Sequence, residues 1–313
     1  MIEAENDNVV PQQSGEAYHV PVLLNETISL LNIQPSGIYV DCTFGGGGHS
    51  KAILSQLNEK GKLIVFDQDE NASRNLPKDD RVIFVPQNFR YLQRFLRLHK
   101  MEKVDGILAD LGVSSHQFDE AERGFSIRFN AALDMRMDRR QPISAADIIK
   151  DFSESRLHKI FEQYGEVTNA KTLARTIVQQ RMMAPIQTIA EFKTAISAVI
   201  KGNPNKYLAQ VFQALRIEVN DEMGALKDML QQSVHCLNNG GRIAVITFHS
   251  LEDRMVKTFF KTGSFEEVEM DLFGNKEEND LKLITKKPLT ATNQELKINS
   301  RSRSAKLRVA EKK

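Results

Sequence analysis

The chain has 313 residues, 41% hydrophobic and 27% charged, an ordinary composition that suffices for one α/β domain with an insertion or a second small domain. Its 42 basic and 41 acidic residues leave a net charge of +1, so any nucleic-acid partner must be held by a local patch, not by the overall field. There is no apolar run of the roughly 18 residues a membrane span requires, no basic-then-apolar leader, and no Cys-x-x-Cys pair, since Cys42 and Cys236 stand alone. These absences argue against membrane, secreted and disulfide-framework classes and predict a cytoplasmic protein.

Residues 1–17 are polar, acidic and without period, and are expected to form a disordered tail. From residue 38 short apolar runs alternate with amphipathic stretches. The runs 38–43, 62–67, 81–85 and 104–110 read as strands, and segments such as 88–96 carry apolar residues three and four apart, as helices do. This is βαβ organisation, which builds a parallel sheet covered on both faces. A further strand, 242–248, follows Asn239-Gly240-Gly241 and a long helix beginning near Tyr207.

The 138 positions between Val104 and Arg242 far exceed an ordinary crossover, so an insertion is expected there. Inside it, Ser144 with Asp147 and Thr188 with Glu191 have capping-box spacing. Ser153 opens a helix that Gly165 stops, and Gly202 ends the one started at Thr188. The reading is an all-helical subdomain at 131–205, suited to substrate recognition, set into a main domain made of 18–130 and 206–313. Residues 264–280, with seven acids against one lysine, read as an exposed loop. The stretch 297–313 holds seven basic residues against one glutamate, and 304–309 alternates as an antiparallel last strand would.

In an open parallel sheet, ligands sit beyond the carboxyl ends of the strands, and the turn after the first strand is the usual contact. That turn is Phe44-Gly45-Gly46-Gly47-Gly48-His49. Glycines admit positive φ and close approach of a ligand, and the amides of the following helix donate, although a purely structural tight turn has the same composition. A dinucleotide fingerprint fails, because the third glycine counted from Gly45 falls on Ser50, and no Gly-Lys-Ser/Thr ending makes a phosphate loop. Asp41, at the end of the first strand, repels a pyrophosphate but suits a ligand bearing an ammonium and a sulfonium, as S-adenosylmethionine does. Asp67 closes the second strand, where an acid accepts hydrogen bonds from ribose hydroxyls or is merely a solvated strand end. Phe89 lies after the third strand at the level of an adenine ring, or else in the core. The fourth strand ends in Asp110-Leu-Gly-Val-Ser-Ser-His-Gln117, a small polar turn where a methyl acceptor would meet the cofactor.

Taken together, these stretches resemble the RsmH (MraW) family of ribosomal RNA small-subunit methyltransferases, over residues 19–308. The resemblance rests on His19-x-Pro-Val-Leu-Leu24, Asp41-x-Thr-Phe-Gly-Gly-Gly-Gly-His-Ser50, Asp110-Leu-Gly-Val-Ser-Ser115, Glu122-Arg-Gly-Phe-Ser126, Leu133-Asp-Met-Arg-Met-Asp138, Phe212-Gln-Ala-Leu-Arg216, Phe248-His-Ser-Leu-Glu-Asp-Arg254 and Arg301-Ser-Arg-Ser-Ala305. It implies an α/β class I S-adenosylmethionine methyltransferase with a Rossmann-like sheet, acting on the N4 amine of one cytidine in the decoding region of 16S rRNA, with the small ribosomal subunit as partner. The cofactor positions it implies are Gly47, Gly48, His49, Asp67, Phe89, Asp110 and Gln117; Asp41 comes from the residue reading alone. His116 stands where many relatives carry proline.

A cytosine amine is a poor nucleophile, because its lone pair is delocalised into the ring, so an enzyme must hold it in line with the sulfonium and accept a proton. Asp110 is the first candidate for that acceptor; the alternative is that it holds only the cofactor. His249 and Ser250, at the end of the fifth strand, are candidates to orient the base or the RNA, with a helix cap by Ser250 as the competing role. The RNA-binding candidates are Arg136 and Arg139 near the start of the insertion and Arg301 and Arg303 in the basic tail, with Arg123, Arg128, Arg140, Lys306 and Arg308 nearby. Two isolated cysteines cannot build the zinc site of a cytosine deaminase, and no metal is implied. An amino-methyltransferase for another nucleic acid, a nicotinamide-dependent oxidoreductase and a noncatalytic ribosome-assembly factor remain alternatives, and the sequence leaves a homodimer open.

Overall fold

The computed structural model describes residues 21–265 and 279–313. The tail expected at 1–17 and most of the acidic loop expected at 264–280 lie outside the described residues.

Seven strands form one sheet among the described residues: β1 (Ile38–Asp41), β2 (Lys62–Phe66), β3 (Val82–Val85), β4 (Val104–Asp110), β5 (Leu237–Thr247), β6 (Leu281–Leu283) and β7 (Lys306–Lys312). Their spatial order is β3-β2-β1-β4-β5-β7-β6, with β1 to β5 parallel and β7 antiparallel to both β5 and β6. This is the α/β sheet expected of a class I methyltransferase. The strand order reverses between β1 and β4, and the crevice beyond the carboxyl ends of those two strands is where such sheets bind ligands. No helix among the described residues is long and apolar enough to cross a membrane.

Successive side chains in a strand point to opposite faces, and both faces are covered. Val40, Ile64, Phe66 and Ile107 pack with Leu92, Leu96, Met229, Leu230 and Phe259 on one face. Tyr39, Leu63, Val65 and Leu108 pack with Leu31, Ile53 and Leu54 on the other. Burial on both sides explains why the strands read as continuous apolar runs. β1 ends at Asp41, short of the expected residue 43, because the Asp41 carboxylate accepts from the Thr43 amide at 3.0 Å and turns the chain. β5 begins five residues earlier than expected, with a register shift against β4 at Val104/Gly106. β6 has only three residues and no alternation long enough to be read.

Between β4 and β5 the chain forms the helices Ala145–Asp151, Glu154–Gln163, Ala170–Met183, Ile189–Ile196 and Pro204–Asn220. They share a core of their own, including Ile148, Leu157, Phe161, Leu173, Ile177, Phe192 and Leu215. Ser144 and Thr188 complete capping boxes with Asp147 and Glu191, and Ser153 caps its helix. The helix capped by Thr188 stops at Ile196, six residues before Gly202, and a short 3₁₀ turn fills part of the gap. The long helix expected from near Tyr207 is two helices, Pro204–Asn220 and Glu222–Cys236, broken at Asp221 with φ 45°. The first buries its apolar face in the helical unit and the second in the sheet, so the break is the joint between two cores.

Candidate active site

A cavity of about 730 Å³ opens beyond the carboxyl ends of β1 and β4, and is lined by both the glycine turn and the turn after β4. Its size suits a small-molecule site. The glycine turn is shaped by its lack of side chains: Gly45 and Gly47 have φ of +51° and +73°, in the left-handed region. Gly48 opens the helix Gly48–Gln56, and a Cβ there would lie 2.2 Å from Pro21 Cγ. Gly45, Gly46, Gly48 and His49 face the cavity; Gly47 bends the turn behind them and is not part of the lining.

Asp67 lies at the end of β2, where Oδ2 accepts from the Gly45 amide and Oδ1 from the Asp69 amide, both at 2.8 Å. Burial raises its pKa to about 6, against the lowering effect of those amides. Phe89 lines the cavity from the 3₁₀ turn Phe89–Tyr91, whose start is fixed by the Asn88 side chain. Gln117 is buried in the lining, yet both ends of its amide are engaged: Oε1 accepts from the Ser114 amide and Nε2 donates to Asp69 Oδ2. It shapes the wall.

Asp41 requires a correction. It is 1% exposed, accepts from Ser50 Oγ at 2.6 Å and from the Thr43 amide, and forms no part of the cavity lining. It ties the turn to the helix beneath, and its influence on a ligand is limited to its charge. Burial raises its pKa above the ordinary carboxylate value.

Asp110 sits at the switch point. Its amide donates to Thr43 Oγ1 at 2.7 Å, while its side chain lines the cavity with Oδ1 buried and without a partner among the described residues. Burial, then the negative charges of Asp41 and Glu252, hold its carboxyl well above the usual range. His49 stands alongside, with Nδ1 3.7 Å from Asp110 Oδ2. Its Nε2 lies 3.1 Å from the Val22 carbonyl, an obligate acceptor, so the proton is assigned to Nε2 and a lone pair on Nδ1 faces Asp110. Burial lowers the His49 pKa to about 4, which keeps the ring neutral at pH 7.

The far wall of the cavity is formed by Phe248 and Glu252, from the Phe248–Arg254 block, and by Asn220 and Glu222, which the sequence reading passed over. Asn220 and Glu222 flank the break at Asp221, and Glu252 is in the first turn of the helix Ser250–Thr262. Arg216 grips both Glu222 oxygens, at 2.7 and 2.9 Å. Glu252, 2% exposed, accepts from the Phe248 amide at 2.8 Å, and its pKa is lowered by His249 and Arg216 despite burial.

His249 caps this helix in place of Ser250: its Nδ1 accepts from the Glu252 amide. It is not among the lining residues, and Ser250 is exposed, with its hydroxyl directed to Glu166 Oε2. Neither reaches the cavity, because the cap geometry holds one ring under the helix and turns the other side chain outward. Glu222, His249 and Glu252 bring possible metal-ligand atoms within 4.8 Å of one another. Nδ1 of His249 accepts from the Glu252 amide, while Nε2, 3.2 Å from Glu252 Oε1, is buried without a hydrogen-bond partner among the described residues. The Nδ1 lone pair is thus engaged in the helix cap.

Of the basic candidates, Arg136 is committed to Asp134 through Nε and Nη2 and to the Gln141 carbonyl through Nη1, which removes it from the free surface. Arg139 and Arg303 are exposed. Arg301 borders the cavity, pairs with Asp119, and has Nη1 buried and unpartnered among the described residues. Arg308 and Lys306 are paired with Asp253.

The model of the MraW methylase family matches residues 16–313. The chain belongs to that family. A small-subunit ribosomal RNA methyltransferase H of Bacteroides thetaiotaomicron is 55% identical over 298 residues, covering 95% of this chain and 98% of the relative. Its counterpart in Phocaeicola vulgatus is 54% identical over 303 residues, covering 96% and 99%. Among solved structures, an rRNA methylase from Streptococcus thermophilus overlaps 92% of each chain at 12% identity with a TM-score of 0.38. The glycine turn, the strand-four turn and the Phe-His-Ser-Leu-Glu-Asp block 248–253 converge on one crevice in this chain, the last through Phe248 and Glu252.

Proposed function

We propose that this chain transfers the methyl group of S-adenosylmethionine to the N4 amine of a cytidine in the decoding region of 16S rRNA. The observation that carries this reading is the Asp110 carboxylate, oriented into the crevice with Oδ1 unpartnered, between the glycine turn and the Asn220–Glu222–Glu252 wall. Buried polar atoms are normally satisfied, and one left open at a ligand crevice is reserved for what binds there. The names of the 54–55% identical relatives support small-subunit ribosomal RNA as the substrate class.

The residues fit the methyl donor. The side-chain-free turn lets an adenosyl group approach the backbone, Asp67 accepts from ribose hydroxyls, and Phe89 offers a ring face. When bound, S-adenosylmethionine supplies the electrophilic methyl group and a sulfonium charge. Asp110 then hydrogen-bonds the amine, draws electron density to its nitrogen and takes its proton. A carboxylate with a raised pKa is a stronger base once ionised, and a cation nearby favours the ionised form. Glu252 contributes a fixed negative charge that favours the positive charge developing on the amine. Arg301, Arg139 and Arg303 hold RNA phosphates, and the helical unit between β4 and β5 forms the recognition surface, with the cytidine flipped out of its stack.

Labelled methyl transfer to assembled small subunits tests this reading. Transfer to a single cytidine N4, with calorimetric binding of S-adenosylmethionine and none of NAD, is the expected result. Cofactor binding without transfer to any ribosomal substrate would instead indicate a noncatalytic assembly factor.

A further inference from the structure

Arg123 is among the largest fully buried side chains, at 1% exposure, and the methyl-transfer chemistry does not use it. Burying a guanidinium that cannot be neutralised is costly unless its donors are matched, and here the matching groups come from two parts of the molecule, Asp69 and the 136–137 backbone. Nη1 donates to Asp69 Oδ2 at 2.5 Å, and Nη2 donates to the carbonyls of Arg136 and Met137 at 3.1 and 3.0 Å. The Arg123 carbonyl accepts from the Met135 amide at 3.1 Å.

Each partner leads onward. Asp69 is joined through its own amide to Asp67 and through its carboxylate to Gln117 Nε2, so it links the β2 end to the strand-four turn. The Met137 amide donates to Asn220 Oδ1 at 2.7 Å, and Asn220 Nδ2 donates to the Met135 carbonyl at 2.8 Å. Asn220 is the last residue of the helix Pro204–Asn220, at the joint between the two cores. A continuous path of hydrogen bonds, with steps of 2.8, 2.5, 3.0 and 2.7 Å, therefore runs Asp67–Asp69–Arg123–Met137–Asn220. Asp69, Gln117, Met137 and Asn220 all line the cavity as well.

We propose that Arg123 is a positioning residue that couples occupancy of the cofactor end of the cavity to the docking of the helical unit, so that methyl donor and RNA each strengthen binding of the other. A ligand that fixes Asp67 also fixes Asp69, and through the rigid guanidinium fork it fixes the 136–137 backbone on which the helical unit is seated. Such coupling is reciprocal, and its ordinary size is about 5- to 150-fold in affinity. The RNA half of this inference rests on the reading of the helical unit as the recognition surface; the protein half does not.

The test uses hydrogen–deuterium exchange on the full chain with S-adenosylhomocysteine as the probe ligand, comparing the parent with Arg123→Lys and Arg123→Gln, at a residue outside the cavity lining. Lysine keeps the charge but cannot span Asp69 and two carbonyls at once. In the parent, the probe is expected to slow exchange of the Met135 and Met137 amides. In both variants the probe should still bind and protect the glycine turn, while its effect on Met135 and Met137 disappears. Equal protection of those amides in parent and variants, or none in the parent, overturns the proposal. A variant that merely loosens the fold raises exchange with and without probe alike, and that result also overturns it. Small-subunit affinity measured with and without the probe then separates the two halves: coupling seen by exchange but absent from RNA affinity refutes the recognition reading and leaves the protein coupling standing.

Discussion

The two ends of the cavity are built in opposite ways. The cofactor end comes from short loops at the ends of consecutive strands, so its residues fall into compact motifs, 43–49, 67–69 and 88–89. The acceptor end is gathered from Asp110, Asn220, Glu222, Phe248, Glu252 and Arg301, which lie on four widely separated stretches, 110, 220–222, 248–252 and 301. Its charges are each held by a partner: Arg216 on Glu222 and the Phe248 amide on Glu252, both nearby in sequence, and the distant Asp119 on Arg301. The first end follows from strand order; the second depends on how two cores are joined.

The largest effect expected from this division belongs to the point where the ends meet. Asp110→Asn keeps the shape but removes the proton acceptor, and labelled-methyl assays should show a loss of about 10²- to 10⁴-fold in transfer rate. S-adenosylmethionine binding by calorimetry should change little. An Asn variant with full transfer rate would break the comparison, since Asp110 would then belong to the cofactor end alone.

Gly48→Ala comes next, because the new Cβ must push into the Pro21 ring, 2.2 Å away. Overpacking of this kind costs about 1–3 kcal/mol, seen as a lowered melting midpoint together with weaker cofactor affinity and an unaltered RNA interface. The third expectation is a pH effect confined to the cofactor end. Asp67 carries a raised pKa of about 6, so below pH 6 it is protonated and a poorer acceptor for ribose hydroxyls. Cofactor affinity should fall up to tenfold per pH unit below 6 and stay flat above, and Asp67→Asn should remove that dependence in a calorimetric series. For folding the sign is opposite: between its unfolded value and about 6 the folded chain holds the extra proton, and this stabilisation is lost as pH rises through 6. The smallest expected effect is at the rim. Arg139→Ala and Arg303→Ala should each weaken RNA binding modestly and reduce the magnitude of the log-log salt slope by roughly one, with cofactor affinity unchanged.

The same contrast explains what was legible in the sequence. β4, both capping boxes, the antiparallel last strand and the crevice at the glycine turn follow from period, spacing and local backbone chemistry. Asp41 was misjudged because a strand-end acid looks the same from sequence whether it faces ligand or, as here, Ser50 and Thr43. His249 and Ser250 were placed at the crevice because they follow β5, but the residue that reaches it is Glu252, one helical turn later. Arg136 resembled a surface cation until Asp134 was seen two residues away on the same bent backbone, and Arg123 gave no local sign of burial. Spacing shows which residues are near along the chain but not which way a side chain turns, and the misreadings of Asp41, Arg136 and His249 concern that direction.

The joint at Asp221 has a kinetic consequence. β4 and β5 pair side by side, yet the chain between them spans 126 residues, and closing so long a loop from an unfolded state is slow. With its own apolar core, the helical unit can compact first and bring Asp110 and Leu237 within reach of each other before the sheet is complete. The helical unit proposed as the recognition surface would then also act as the folding splint of the sheet. Trimming its core, as in Leu173→Ala, should slow appearance of the native sheet in stopped-flow refolding even though Leu173 touches no strand.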